Sequence, residues 1–101
     1  MNRNEIFEAI TAERARQDEK HPVAFKCLLD EHNPDIETIR RDSRRLKTWN
    51  NALEVSNNHT AFGLTNEERL EFFAETDKSR QVEEAIQNAA LWVRIIEEIT
   101  K

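Results

Sequence analysis

Apolar side chains recur every three or four residues in several stretches of the chain, which is the spacing of amphipathic helices. The first stretch places Ile6 and Ile10 on one face, and two further steps along that face reach Glu13 and Gln17. A first helix is therefore predicted over residues 4–20, with a stripe that turns polar half-way along. Partial exposure of its second half is the simplest interpretation.

The second predicted helix covers residues 34–55. It begins after Asn33 and Pro34, a capping residue followed by a residue favoured in the first turn. One stripe of this helix follows the three-and-four spacing and contains both polar and apolar residues. Its polar members are Ser43 and Asn50. The apolar members of this stripe are Ile36, Ile39, Leu46 and Leu53.

A loop is predicted next, over residues 56–64, because this stretch contains Gly63, the only glycine of the chain. Thr65 and Glu68 then have the spacing of a capping box, in which each side chain accepts a hydrogen bond from an otherwise unpaired backbone amide. The box predicts a third helix over residues 66–75.

The last helix is predicted over residues 79–100 and has the widest apolar face of the chain. A helix with such a face is typically buried, so we expect it at the centre of the core. One glycine, two prolines and no tyrosine among 101 residues also favour helices. The predicted fold is all-α, a compact four-helix bundle-like domain, with a single domain over residues 1–101.

Composition limits the size of the core. Apolar residues make up 38% and charged residues 35% of the chain, so each helix can bury only a narrow stripe. We therefore expect a homo-oligomer, because association would enlarge the core. Trp49 and Trp92 lie on apolar seams and are expected in the core or an interface.

Charge and hydropathy exclude some classes of protein. A formal net charge of -5 argues against a basic DNA-coating surface, and no extended nucleic-acid binding is expected. No stretch reaches the roughly 20 apolar residues that cross a bilayer. Nothing near Met1 looks like a secretory signal. We therefore expect no membrane insertion and a cytoplasmic location.

One local basic stripe lies on the second predicted helix, and its members are Arg40, Arg41, Arg44, Arg45 and Lys47. Guanidinium groups pair well with phosphate, so contact with a nucleotide or RNA is one interpretation. A solvated face balanced by acidic residues is the more ordinary one.

The segment between the first two helices, residues 21–34, is predicted to form a short turn or loop that packs against the core. It contains His21, Cys27 and His32 as conceivable ligands of a soft metal. These three residues lack the fourth ligand and the paired spacing of a structural zinc site, so zinc is not expected.

Glutamates cluster on the last two predicted helices. Glu67, Glu68 and Glu71 form a Glu-Glu-x-x-Glu motif, and Glu84 and Gln87 follow after a gap. Residues three or four apart share a helix face, so packing of the two helices would bring these side chains together. Clustered carboxylates either stay apart in solvent or are held by a cation, and Mg²⁺ prefers oxygen ligands. Ordinary solvated charge is the alternative.

Two further segments carry motifs: residues 10–21 read ITAERARQDEKH, and residues 83–92 read EEAIQNAALW. The first resembles the opening helix, and the second resembles the second motif, of small phage and bacterial proteins in the MazG-like group of all-α nucleoside-triphosphate pyrophosphohydrolases. The two matches occur in the family's order and, with the glutamate motif, cover about half of the chain.

In that family, an EExxE motif and a later ExxD motif hold Mg²⁺ around a nucleoside triphosphate, which is cleaved to the monophosphate and pyrophosphate. The resemblance implies Mg²⁺ ligands at Glu67, Glu71 and Glu84. It implies a catalytic role for Glu68, either as base or as a further ligand.

Lys78 and Arg80, in the neighbouring turn, are the candidate contacts to the phosphates of a bound nucleotide. The chain departs from the family pattern at Gln87, where the enzymes have an acid, and in the extra helix predicted over residues 34–55. An amide oxygen approaches a metal more weakly than a carboxylate does.

Two functions therefore stay open. One is a Mg²⁺-dependent nucleotide pyrophosphohydrolase, or a degenerate nucleotide-binding relative of it. The other is a noncatalytic helical interaction or regulatory protein, such as a phage would encode, that binds a host protein or a nucleotide signal.

Overall fold

The structure is a computed structural model that describes residues 1–23, 25, 35–56 and 58–101. These residues form four helices and no strand: α1 (Arg3–Lys20), α2 (Ile36–Val55), α3 (Ala61–Ala74) and α4 (Lys78–Ile99). Helix α2 packs against α3, α3 against α4, and α4 against α1. The predicted all-α, four-helix bundle-like fold is confirmed.

Helices α1 and α4 begin within one residue of their predicted starts. Helix α2 begins at Ile36, and Asp35 caps it by accepting a hydrogen bond from the Thr38 amide at 2.9 Å. Asn33 and Pro34, the predicted cap and first-turn residues, lie outside the described residues. The cap of α2 is therefore Asp35, because its carboxylate lies at the right distance from the first free amides.

The start of α3 differs from the prediction. The helix begins at Ala61, five residues earlier, and the Thr60 hydroxyl accepts a hydrogen bond from the Gly63 amide at 3.0 Å. Thr65 lies one turn inside the helix, where its hydroxyl donates to the Ala61 carbonyl at 2.8 Å. The capping box predicted for Thr65 and Glu68 is therefore wrong, and Glu68 lies in the middle of α3.

Gly63 explains why the loop predicted over residues 56–64 is wrong in its last part, where residues 61–64 belong to α3. A Cβ atom at this residue would lie 2.5 Å from Oδ1 of Asn50. The Asn50 side chain is 2% exposed and donates from Nδ2 to the Gly63 carbonyl at 2.9 Å. Glycine therefore provides the space for a close approach of α2 and α3, although in sequence it reads as a turn signal.

The buried core is small. Among the described residues, the buried apolar side chains are Ile6 from α1, Ile39 from α2 and Val93 from α4. The second half of α1 is exposed, as its polar stripe indicated. Trp49 is 65% exposed, so it does not lie in the core of the chain.

Helix α4 is less buried than its sequence predicts. Its large exposed apolar side chains are Val82, Ile86, Trp92 and Ile99. Helix α4 contacts both α1 and α3, but Val93 is its one buried residue, so the expected burial of its wide apolar face is not found in this chain. Within the same residues, no helix has both the length and the apolar character to cross a membrane.

Most of the segment expected to pack against the core, residues 21–34, lies outside the described residues. Cys27 and His32 of the zinc candidate belong to that part. Two described members, Val23 and Phe25, are 85% and 90% exposed. The predicted packing is therefore not found at these two positions.

Candidate metal centre

The register of α3 against α4 is set by one asparagine. The turn at residues 75–77 leads α4 back along α3. Asn88 Nδ2 donates to the Glu68 carbonyl at 2.9 Å and to the Glu84 carbonyl at 2.8 Å. This bridge holds the backbones that carry Glu68 and Glu84 side by side, because the amide satisfies an acceptor on each helix at once.

Three glutamates, the carboxylate trio of Glu68, Glu71 and Glu84, converge where the two helices face each other. Glu68 and Glu71 are three residues apart on α3 and Glu84 faces them from α4. One carboxylate oxygen of each lies within 4.8 Å of the others. Octahedral Mg²⁺ with bonds of 2.0–2.1 Å separates its ligand oxygens by roughly 3 to 4.2 Å. Small side-chain movements would therefore let these three carboxylates share one ion.

The carboxylates of this cluster repel one another. Partial burial and the neighbouring charges of Glu68, Glu84 and Glu67 raise the pKa of Glu71 to about 7. Burial, followed by the charges of Glu84 and Glu67, also raises the pKa of Glu68. Lys47 opposes both shifts. The charged form is thus disfavoured until a cation or a proton compensates it.

Glu67, a predicted ligand, is not one of the three converging residues. Within the described residues, its Oε1 atom is buried and has no hydrogen-bond partner. Its charge nevertheless acts on Glu68 and Glu71. Glu67 therefore adds negative potential to the cluster from a position outside the group of oxygens that Glu68, Glu71 and Glu84 bring together.

Gln87 lies beside the cluster, at the position where the resembling enzymes have an acid. In its hydrogen-bonded orientation, the side-chain amide nitrogen donates to Glu84 Oε2 and to Glu68 Oε2, each at 3.2 Å. The amide thus braces two carboxylates from different helices. It adds no negative charge, so the cluster holds three converging carboxylates at this point.

Helix α2 provides a wall beside the cluster that the sequence did not reveal. A cavity of about 340 Å³ is lined by Ser43, Arg44 and Lys47 of α2 together with Glu71, Glu75 and Glu84. Arg44 and Lys47 belong to the basic stripe of α2, and the sequence did not indicate that this stripe lies near the glutamates. Lys47 follows Ser43 by four residues and precedes Asn50 by three, so it shares a helix face with these two polar residues. That spacing was the sequence signal for a polar contact on this face of α2.

Lys78 and Arg80, the predicted phosphate contacts, lie in the first turn of α4 and are exposed. Neither belongs to the lining of this cavity. Glu84 follows Lys78 by six residues, which is about 9 Å along a helix axis. Arg80 precedes Glu84 by four residues, about 6 Å along the axis, and among the described residues neither cation has a carboxylate oxygen within 4.0 Å. Their phosphate role stays a prediction.

Comparison with known proteins adds no relative: no protein-family model, curated protein or solved structure gives a significant match to this chain.

Proposed function

We propose that the chain binds Mg²⁺ through Glu68, Glu71 and Glu84 and acts as a nucleoside-triphosphate pyrophosphohydrolase. The observation that carries the proposal is the convergence of three partly buried carboxylates from two helices. Among the described residues, no ion pair within 4.0 Å compensates any of the three. The sequence resemblance supports the same metal and the same reaction class.

The donor set fits a hard cation, since all its members are carboxylate oxygens. When bound, Mg²⁺ would neutralise phosphate charge and lower the pKa of a coordinated water. Glu71 and Glu84 would hold the ion from opposite helices. Glu68 fits two tasks, that of a third ligand and that of the base that accepts the proton of the attacking water.

Calorimetric titration with Mg²⁺ tests the metal site. We expect saturable binding by the native chain and a loss of about 100-fold or more in Glu71→Gln, since even outer-shell partners of metal ligands contribute about 10- to 100-fold. Glu83→Gln is the matched control, because Glu83 precedes Glu84 on α4 and is not in the trio. Equal loss in both variants would contradict the site.

Phosphorus NMR then tests the chemistry with a panel of canonical and modified nucleoside triphosphates at millimolar Mg²⁺. We expect release of pyrophosphate from at least one of them. Glu68→Gln separates the two tasks of that residue. Loss of turnover with metal binding intact identifies a base, and loss of both identifies a ligand. Absence of release across the whole panel would refute the enzymatic proposal.

A second candidate function is favoured by Gln87, whose amide bridges Glu68 and Glu84 where an acid is expected. In this alternative the chain is a noncatalytic regulatory protein that keeps the scaffold and binds a nucleotide or a protein. Gln87→Asp distinguishes the two functions. If pyrophosphate release is absent from the native chain and present in this variant, the native protein is a degenerate relative.

We also propose that the chain forms a homo-oligomer through the apolar face shared by α1 and α4. A groove there is lined by Ile6, Ile10, Trp92 and Ile96, and Trp92 is 56% exposed. Full burial of one large apolar side chain contributes about 1.5–3 kcal/mol, so covering this face would offset the small core. Light scattering should show a multimer that Trp92→Glu dissociates. Trp49→Glu, on α2, should not dissociate it.

A further inference from the structure

We infer that Arg44 and Lys47 of α2 bind the phosphate oxygens of a diphosphate or longer polyphosphate group beside the carboxylate trio. This inference rests on the proposed function, because it takes the trio to hold a divalent cation. It adds two residues of α2 to a site that otherwise consists of residues from α3 and α4, and it gives these two residues the role of binding the anion.

The cavity of about 340 Å³ is lined by cations and carboxylates from different helices. Arg44 and Lys47 come from α2, Glu71 and Glu75 from α3 and its C-terminal cap, and Glu84 from α4. Their spacing of three residues puts both cations on neighbouring parts of one helix face. The hydrogen bond from Asn50 to the Gly63 carbonyl joins α2 to α3 within one turn of Lys47, so a partly buried contact positions this part of α2.

The opposite charges line the cavity without direct pairing. Among the described residues, the ion pairs on α2 are Arg40 with Glu37 and Arg41 with Asp42. Neither Arg44 nor Lys47 has a carboxylate oxygen of a described residue within 4.0 Å. The cavity is therefore not closed by salt bridges. Its volume falls in the range of small-molecule sites, about 300–1,000 Å³.

Charge decides which ligand class suits this space. A divalent cation leaves the three carboxylates with one net negative charge, which would repel an anion. Arg44 and Lys47 offset this charge and that of Glu75, which also lines the cavity, and both groups form strong hydrogen bonds to phosphate. An anion with oxygens on two linked phosphorus atoms can reach the cation and the α2 wall together, which a single phosphate does less well.

The test is calorimetric titration of the full chain with inorganic pyrophosphate in excess Mg²⁺. Lys47→Met and Arg44→Met should each weaken pyrophosphate binding about 10- to 100-fold, the effect of one hydrogen bond to a charged group. Mg²⁺ binding should be unchanged or tighter in both variants, because each substitution removes a positive charge from the neighbourhood of the ion.

Arg45→Met is the matched control. Arg45 follows Arg44 on α2 and carries the same charge, but it lines a separate groove beside Trp49 and not the cavity. Arg44 also lines the groove beside Trp49, so Arg45→Met tests whether the cavity or this groove holds the anion. We expect its pyrophosphate affinity to equal that of the native chain. Orthophosphate should bind at least about tenfold more weakly than pyrophosphate, since it forms fewer charge-assisted hydrogen bonds.

Two failures can be told apart. If Mg²⁺ binds normally but pyrophosphate affinity is unchanged in Lys47→Met and Arg44→Met, or falls equally in Arg45→Met, the inference is overturned and the metal site stands. If orthophosphate binds as tightly as pyrophosphate, the assigned ligand class is wrong. If the native chain binds no Mg²⁺, the proposed function fails and this inference fails with it.

Discussion

Helices α1 and α3 are both neighbours of α4, but they are held in different ways. Polar hydrogen bonds join α3 to its neighbours, with Asn50 bound to the Gly63 carbonyl and Asn88 bound to the Glu68 carbonyl. Helix α1 contacts only α4 among the described helices. It has one buried side chain, Ile6, and an exposed ion pair between Arg3 and Glu97.

Helices α2, α3 and α4 therefore form a unit in which the position of each helix along its neighbour is defined. Helix α1 is attached to that unit. A hydrogen bond to a backbone carbonyl is directional, so it fixes how far one helix is shifted along another. An apolar contact is not directional and permits several arrangements. The carboxylates converge in the part of the molecule whose directional contacts are partly buried, whereas those of α1 and its N-terminus to α4 are exposed. The apolar face of α1 and α4 is the part that a second copy would complete.

The largest expected effect concerns the attachment of α1. Ile6→Ala should lower the free energy of unfolding by about 2–5 kcal/mol, because it leaves a cavity at a side chain that is 1% exposed. Phe7→Ala is the control, since Phe7 is 51% exposed. Hydrogen exchange should show α1 opening before α2, α3 and α4. Uniform opening of all four helices would erase the distinction between the two regions.

The next effect tests the close approach of α2 and α3. Gly63→Ala should cost about 1–3 kcal/mol, because its new methyl group would meet Asn50 Oδ1 and the buried asparagine has little room to move. Urea denaturation measures the change. In an Asn50→Ala background the same substitution should cost less. Additive costs in the double variant would show that the two residues do not interact.

A smaller effect is a dependence of the free energy of unfolding on pH, which we expect to arise from the carboxylate trio. The Glu71 pKa of about 7 lies above its ordinary value of 4.5, so the folded chain binds more protons between these pH values than the unfolded chain does. Stability without metal should therefore fall as pH rises from about 4.5 to 7. Added Mg²⁺ should restore it most above pH 7, where protons no longer compete for Glu71.

Urea denaturation at pH 5 and pH 8, with and without Mg²⁺, measures this dependence. Glu71→Gln should reduce both the fall in stability with pH and the gain from Mg²⁺. Glu83→Gln should change neither. A native profile that rises between pH 5 and pH 8 would contradict the sign.

The smallest effect is expected at the exposed end of α1. Arg3→Gln should change the free energy of unfolding by about 1 kcal/mol or less, since the pair with Glu97 spans 3.4 Å and the Arg3 side chain is 68% exposed. Chemical denaturation in low and high salt gives the measurement. A loss as large as that of Ile6→Ala would mean that polar contacts hold α1 as firmly as they hold α3.

The sequence predicted the first and last helices from the spacing of their apolar residues. Helices α1 and α4 follow the three-and-four rhythm and start within one residue of expectation. The start of α3 was missed because Thr60 and Thr65 are equally good caps by composition. The choice between them depends on Asn50 and the space at Gly63, which no local rule describes.

The candidate site was predicted in part. Glu68, Glu71 and Glu84 were named from their spacing, and the structure brings them together. Glu67 was grouped with them but lies outside the trio. Arg44 and Lys47 were not connected with the site, because helical periodicity tells which face a residue occupies and not which helix lies opposite.

The sequence by itself determined the helical fold, a small apolar core and the clustered glutamates of the last two helices, since these follow from residue type and spacing along the chain. Tertiary structure alone decided that Glu68, Glu71 and Glu84 meet, that Arg44 and Lys47 of α2 lie beside them and that much of α4 stays uncovered. The physical reason is that local rules act within a few residues. The relative register of helices instead depends on contacts such as those of Asn50 and Asn88, which join residues distant in the chain.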